Sequence, residues 1–387
     1  MAQDHLELRV TVKATRRNYA VRVSDPSRRQ SRVRCRGAFP QGNGVAELTE
    51  SAKRVDPHRR FGSNRAKAVE HFGTTLFNNL FFGPTLRSYR RSMDLARERD
   101  AVLRVVLDLD DDLERLPWEY LYDSQRGSFL AGSRETSLVR AKPTNDVTRT
   151  QGPIKRLRIL SMGASPAGTQ PLDLHKEQRL LVDALAGSVE TKHADLRFVK
   201  GATLAALDRA IRDFNPHLFH FSGHGYWRDD RQDGVLQFED AAGFAHSVDG
   251  RTLGAVLNQT QLRLAVLNSC HSARSAPDDR FAGVGSCLIA QGIPAVVGMQ
   301  FRFDNAAALV FGTVVLRELA AGSPLDRAVG DARLAVLASP SEIEWGTPVL
   351  TTRIPVAQVL PRIQGLVPAP SDTTLSRGES QLVGGVM

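Results

Sequence analysis

The segments HLFHFSGHG (217–225) and LRLAVLNSCHSA (262–273) decide how this chain is read. Each opens with a short, mainly apolar run that stops at small or polar residues. Such runs read as strands buried on both faces of a parallel sheet. The first ends in Gly-His-Gly, with His224 between Gly223 and Gly225, and the second ends in Asn-Ser-Cys-His, with Cys270 just past the run. In open parallel α/β sheets, sites gather beyond the carboxyl ends of the strands. His224 and Cys270 are therefore predicted to face one cleft. A cysteine nucleophile needs an imidazole nearby to lower its pKa or take its proton. Glycine on each side of the histidine lets a substrate backbone approach. The N–H groups of Gly225 and Cys270 can then serve a developing oxyanion.

The same pattern extends outward. RLRILSMG (156–163), 194–199 and IPAVVGMQF (293–301) read as further strands. Helices are predicted over 174–186, 203–214 with Thr203 as cap, 253–259, 281–291, 306–321 and 324–337. Upstream, 6–24 alternates apolar and polar residues as one or two strands. The Arg-, Ser- and Pro-rich stretch 25–62 carries a short helix near 45–54. Two helices fill 64–100, and LRVVLDL (103–109) and SFLAGSRETSLVRA (128–141) follow as strands around LPWEYLYD (116–123). The polar stretch KPTNDVTRTQGPI (142–154) is the best boundary. The fold class expected is α/β: a mostly parallel sheet flanked by helices, preceded by a smaller α+β N-terminal domain. The divisions are 1–145 (a basic scaffold or regulatory domain), 146–360, and a flexible Pro/Ser/Gly-rich tail at 361–387.

With 387 residues, 42% hydrophobic and 24% charged, the composition excludes disordered and collagen-like classes. Three cysteines, Cys35, Cys270 and Cys287, make no disulfide framework and point to a reducing compartment. The N-terminus lacks a signal pattern and no apolar run reaches membrane-spanning length, so a cytoplasmic protein is expected. Residues 1–150 hold 28 Lys and Arg against 19 Asp and Glu, whereas the rest holds 23 of each. That basic part could dock an acidic protein partner or nucleic acid. Only 6% of residues are aromatic and no nucleic-acid module is present, which favours a solvated Arg-biased surface.

Other chemistries fit less well. His217, His220, His224, Cys270 and His271 could ligate zinc, but CxxC and HExxH spacings are missing, and on a strand His217 points away from His220 and His224. No metal or cofactor is therefore expected. GxSxG is absent, and GASPAG (163–168) matches neither a Walker loop nor GxGxxG. Cys287 reads as core, Cys35 is unassigned, and His220 reads as a core or supporting histidine.

HFSGHG (220–225), AVLNSCHSA (265–273), the block 292–333 and WGTPVL (345–350), in that order, together resemble a CHAT domain. LPWEYLYD and SLVRAKP resemble the region that precedes the catalytic block in bacterial CHAT proteins. CHAT domains are caspase-like and share a clan with separases, gingipains and caspases. The resemblance implies a cysteine endopeptidase, with His224 as general base and acid, Cys270 as nucleophile, and Gly225 and Cys270 N–H groups as the oxyanion hole. The order of His and Cys and their spacing fit the caspase pattern. The residues flanking Cys270 depart from it, which bears on P1 specificity. Carried over, Gly298, Met299, Gln300, Phe301, Arg302 and Asp304 would align a substrate strand through backbone hydrogen bonds. Asp304 would be an acid for a basic P1 residue, or simply a helix N-cap. Asp229, Asp230, Asp233 and Asp249, in a loop at 226–252, could orient His224, bind calcium or only be solvated. The segments 25–60 and 226–252 are candidates for activating cleavage.

The resemblance further implies limited proteolysis of a protein substrate in bacterial defence or regulated cell death, a gasdermin-like pore former being one such substrate. The alternative is a catalytically silent caspase-like scaffold that binds protein or nucleic acid.

Overall fold

A computed structural model describes residues 5–15, 19–24, 26, 32–39, 43–57, 65–142, 152–228, 233–269, 282–339 and 343–361. In chain order come β1 (His5–Ala14), β2 (Tyr19–Ser24), β3 (Arg32–Phe39), α1 (Asn43–Ala52), α2 (Arg65–Leu80) and α3 (Gly83–Glu98). β4 (Val102–Leu109), α4 (Asp111–Glu114), the two-residue pair β5 (Tyr122–Asp123) and β6 (Ser128–Phe129), and β7 (Thr136–Ala141) complete the N-terminal part. The second part opens with β8 (Leu157–Gly163), α5 (Leu174–Glu190), β9 (Ala194–Phe198), α6 (Leu204–Phe214) and β10 (Leu218–Gly223). A meander follows: β11 (Gly225–Arg228), β12 (Asp233–Glu239) and β13 (Ala245–Asp249). The chain then runs through α7 (Gly250–Leu257), β14 (Leu264–Ser269), α8 (Ala282–Ala290), β15 (Ala295–Met299), α9 (Asn305–Ala320), α10 (Leu325–Leu337), β16 (Pro348–Thr352) and α11 (Val356–Val359).

Among the described residues eleven strands form one sheet in the order β3-β2-β1-β4-β7-β16-β15-β14-β10-β8-β9. Most neighbours are parallel. The antiparallel pairs are β1 with β2, β2 with β3, and β15 with β16. The expected α/β architecture is thus present. Every residue of β10 and β14 is buried, as near-continuous apolar strands require. The polar stretch 143–151 lies outside the described residues. The strands on its two sides belong to the same sheet, because β7 lies between β4 and β16.

Helices α5, α9 and α10 pack side by side. Side-chain N-caps fix where α5, α6 and α9 begin. Asp173 accepts from Lys176 N–H, Thr203 from Ala206 N–H as expected from the sequence, and Asp304 from Ala306 N–H. Each satisfies a backbone donor that the first helical turn cannot pair internally.

Two expectations need correction. β3 occupies 32–39, where the sequence read as irregular. Its Val33 and Cys35 alternate with Arg32, Arg34 and Arg36, a strand period masked by the arginine count. The segment 226–252 is not a loop: its described part, 226–228 and 233–252, holds the meander and the start of α7. Asp249 is the N-cap of α7, accepting from Thr252 N–H at 2.7 Å, and this bond holds its pKa below the usual value. Asp233 lies on β12, while Asp229 and Asp230 lie outside the described residues. So do the tail 362–387 and most of 25–31 and 58–64.

Candidate active site

β8, β10, β14 and β15 run parallel, so their carboxyl ends share one edge of the sheet. His224 follows Gly223, the last residue of β10, and is 2% exposed. Gly223 is in register with Ser269, the last residue of β14. Cys270, the next residue in the chain, lies outside the described residues, as does His271. His224 and Cys270 are therefore each one residue beyond a register pair.

The orientation of His224 has a definite consequence. Its Nε2 lies 2.7 Å from the Gln170 carbonyl oxygen. A carbonyl only accepts, so Nε2 carries a proton and donates. In the neutral ring the basic nitrogen is then Nδ1. Gln170 has no signal in the sequence, because the atom that matters is its backbone oxygen. It sits on the loop after β8, the GASPAG segment and its continuation.

Gly225 opens β11, the edge strand of the meander. The Gln237 N–H donates to the His224 carbonyl at 2.8 Å, while Gly225 and Leu236 are register partners. That bond makes them a non-hydrogen-bonded pair, so the Gly225 N–H points away from β12. It takes no part in the β11–β12 ladder.

The segment proposed to align substrate divides in two. The β14–β15 ladder stops at Val266 and Val297, three residues short of the end of β14. Beyond it, among the described residues, Gly298 and Met299 pair only with Val349 and Pro348 of β16. A Cβ at Gly298 would meet nothing within 4 Å. Further along, side chains are committed elsewhere. Gln300 Nε2 donates to Glu119 Oε2 (2.8 Å) and to the Gly346 carbonyl (2.7 Å), and Gln300 Oε1 accepts from Arg140 (3.1 Å). Arg140 also donates through Nε to Glu119 Oε1 at 3.0 Å. LPWEYLYD and SLVRAKP thus meet under this segment. Phe301 stacks on Tyr120 with centroids 6.3 Å apart, and Arg302 is half-buried. Asp304 is exposed and caps α9 through Ala306 N–H at 2.8 Å, so the N-cap alternative is realised.

A polar layer lies between the sheet and helices α5 and α9. His220, fully buried, shares a 3.0 Å hydrogen bond between Nδ1 and Ser161 Oγ. Asn268 donates to the Ala308 carbonyl at 2.8 Å. Glycine at 312 lets α9 lie this close, since a Cβ there would come within 2.9 Å of Asn268 Nδ2. Glu177 faces His220 at 3.9 Å. Burial pushes the Glu177 carboxyl up to about 7, against a lowering hydrogen bond from Ser222, and burial pulls His220 down to about 4. Near pH 6 both are therefore mainly neutral and do not form an ion pair. His217 is pulled down to about 3 by burial and by Arg158 and Arg263, and its Nδ1 accepts from Arg158 N–H. Cys287 is half-buried against Gly250 rather than fully in the core. Among the described residues, no three His, Cys, Asp or Glu side chains are grouped to hold a metal ion.

Glu177 gives a pH prediction. Its folded pKa lies above the unfolded value, so the folded state holds the proton more tightly. Stability from this group falls as pH rises from about 4.5 to 7 and then levels off, a loss of about 3 kcal/mol. His217 and His220 act in the opposite sense, losing stability as pH falls below 6.5. Glu177→Gln should therefore gain on the wild type by up to about 3 kcal/mol between pH 4.5 and pH 8 in urea titrations. A gap independent of pH would mean that Glu177 is ionised in the folded state.

The CHAT domain family model matches residues 70–354. Two crystal structures of the Saccharomyces cerevisiae separase–securin complex, at 3.0 and 2.6 Å resolution, are similar to this chain with TM-scores of 0.48 and 0.47. Both are 11% identical, and the alignments cover 90% and 89% of this chain. The chain spans 30% of the length of each of those two chains. No curated protein matches it.

Proposed function

The chain belongs to the CHAT domain family, and from that premise we propose that it is a cysteine endopeptidase cutting a protein partner at a limited number of sites. The observation that carries this reading is the hydrogen bond from His224 Nε2 to the Gln170 carbonyl. It leaves Nδ1 as the base at the strand end in register with the residue before Cys270.

In this mechanism His224 Nδ1 takes the Cys270 thiol proton, and the thiolate attacks the scissile carbonyl carbon. The oxyanion is met by the N–H groups of Gly225 and Cys270. The imidazolium then gives its proton to the leaving amine, and the thioester remains until water, activated by the same imidazole, hydrolyses it. The substrate strand lies along the cleft edge of β15 at Gly298 and Met299. A preference for Arg or Lys at P1 would give Asp304 a second role besides capping. A gasdermin-like substrate, a role in bacterial defence or cell death, a cytoplasmic location and docking of a regulator on the Arg-rich N-terminal part are proposals from the family resemblance alone. Among the described residues no helix is long and apolar enough to cross a membrane.

The test incubates wild type and Cys270→Ala with a diverse peptide library and reads cleavage sites by mass spectrometry. Cleavage by wild type alone is expected, and it defines P1 directly. Equal cleavage by both proteins would remove Cys270 from the mechanism. If neither cuts, and a thiol probe fails to label Cys270 in a His224-dependent way, the chain is a binding scaffold instead.

A further inference from the structure

Resting on the peptidase reading of His224, we infer that Glu239 and Ser165 are positioning residues, clamping the loop that holds the Gln170 carbonyl on His224 Nε2. The argument starts at β12, which grips His224 along two routes. Directly, Gln237 N–H donates to the His224 carbonyl at 2.8 Å and fixes the backbone. Two residues further on, Glu239 Oε1 accepts from Ser165 N–H at 3.1 Å. Ser165 Oγ in turn accepts from Leu172 N–H at 3.1 Å and closes the loop that contains Gln170. Gln170 O then meets the His224 ring at 2.7 Å. Backbone and ring of one histidine are thus tied to the same strand, the ring through a chain of three hydrogen bonds.

Next to Gln170, Thr169 donates through its N–H and its Oγ1 to the Pro166 carbonyl at 3.2 and 2.7 Å, which closes a turn within the loop but does not tie it to β12. Gln170 is exposed, so packing does not place its carbonyl. The loop's start is pinned by Ala164 N–H on the Ser222 carbonyl at 2.8 Å, and its middle by Ala167 N–H on the Gly243 carbonyl at 2.9 Å. Among the described residues, the Ser165 bonds run from β12 to Leu172 and so bracket the span that holds Gln170. Glu239 itself is held by its own N–H on the Ala202 carbonyl at 2.8 Å. A carboxylate accepting from a backbone N–H makes a stronger, better-oriented tie than a neutral acceptor. A glutamine at 239 still offers an oxygen to Ser165 N–H, whereas alanine offers none.

The experiment compares Glu239→Ala, Glu239→Gln, Ser165→Ala and His224→Ala with wild type in the full chain. Two readouts are taken. One is the ¹⁵N NMR spectrum of histidine-labelled protein, which reports the His224 tautomer. The other is the pH dependence of Cys270 alkylation by iodoacetamide, read on the Cys270 peptide. Glu239→Ala and Ser165→Ala are expected to mix the tautomers of His224 and to slow alkylation at pH 7 by roughly tenfold or more. Glu239→Gln should restore the single tautomer and most of the rate. If the alanine variants keep the wild-type tautomer and rate, the clamp is overturned. If glutamine is as damaging as alanine, the carboxylate charge matters and the positioning role is overturned. Alkylation that does not change in His224→Ala would overturn the peptidase reading instead, and the tautomer would still decide the clamp. Should Glu239→Ala fail to fold, Ser165→Ala carries the same test.

Discussion

Asp326→Ala should destabilise the protein by about 3–5 kcal/mol. Asp326 lies in α10, 1% exposed, and receives Arg104 from β4 in a two-pronged bond of 2.8 and 2.7 Å. Ser137 Oγ of β7 donates to it at 2.6 Å, and His5 Nε2 of β1 stands 3.6 Å away. Burial alone would push the Asp326 carboxyl up, but Arg104, His5 and Ser137 outweigh it and hold the pKa below its ordinary value. Removing the carboxylate leaves the Arg104 guanidinium, itself 7% exposed, without its counter-charge. The penalty for an unpaired buried charge is what makes the expected cost large; the intact pair is worth much less. A loss of that size is a large share of the roughly 5–15 kcal/mol that holds a typical protein folded. The double variant Arg104→Met with Asp326→Leu should recover most of it. The sign with pH follows from the lowered pKa. The carboxylate's contribution is complete above about pH 4 and is lost as pH falls through the folded value, so the gap between variant and wild type should narrow in acid. Urea midpoints at pH 7.5 and pH 3 measure both. A cost below about 1 kcal/mol at pH 7.5 would mean that water reaches Arg104 in the folded protein.

That cluster also explains where the sequence was readable and where it was not. β10 and β14 announce themselves, because a strand covered on both faces must be apolar almost throughout, and little else in a chain looks like that. The ends of such strands then point to His224 and Cys270. Arg104, Asp326 and Ser137 gave no such signal. They stand 222 and 189 residues apart along the chain, and each alone looks like a surface residue. The same holds for Glu119, Arg140 and Gln300, whose meeting requires the turn of β7 beside β16. Periodicity failed at β3 and at the meander for a different reason. There the strands carry polar residues on one face, and charge density resembled a loop. The Gln170 carbonyl is the extreme case, since a backbone oxygen belongs to every residue and only the fold selects one of them. Conversely, Asp304 shows a motif residue doing the plainer of two jobs available to it.

On the peptidase reading, replacing His224 with alanine should lower kcat/KM for any peptide the protein cuts by about 10²–10⁴, the usual worth of a positioned general base. The proposed mechanism says how that loss divides. In the proposed mechanism His224 Nδ1 both activates the nucleophile and, once protonated, supplies the proton for the leaving amine, so kcat should carry most of the effect and KM little. The proposed alignment of substrate on Gly298 and Met299 of β15 does not involve the imidazole and should survive. Oxyanion stabilisation by the Gly225 N–H should survive too, provided that β11 keeps its place. It is anchored to β12 by backbone bonds, among them Gln237 N–H to the carbonyl of residue 224, which alanine retains. A residual rate above that of water is therefore expected in His224→Ala. Its pH profile should rise through the pKa of an unassisted thiol, near 8.5, rather than through that of an imidazole. Steady-state kinetics from pH 5 to 10 on the best library peptide separate these outcomes. A variant that loses KM rather than kcat would place His224 in substrate binding. A variant with the wild-type profile would leave the proton transfer to another group.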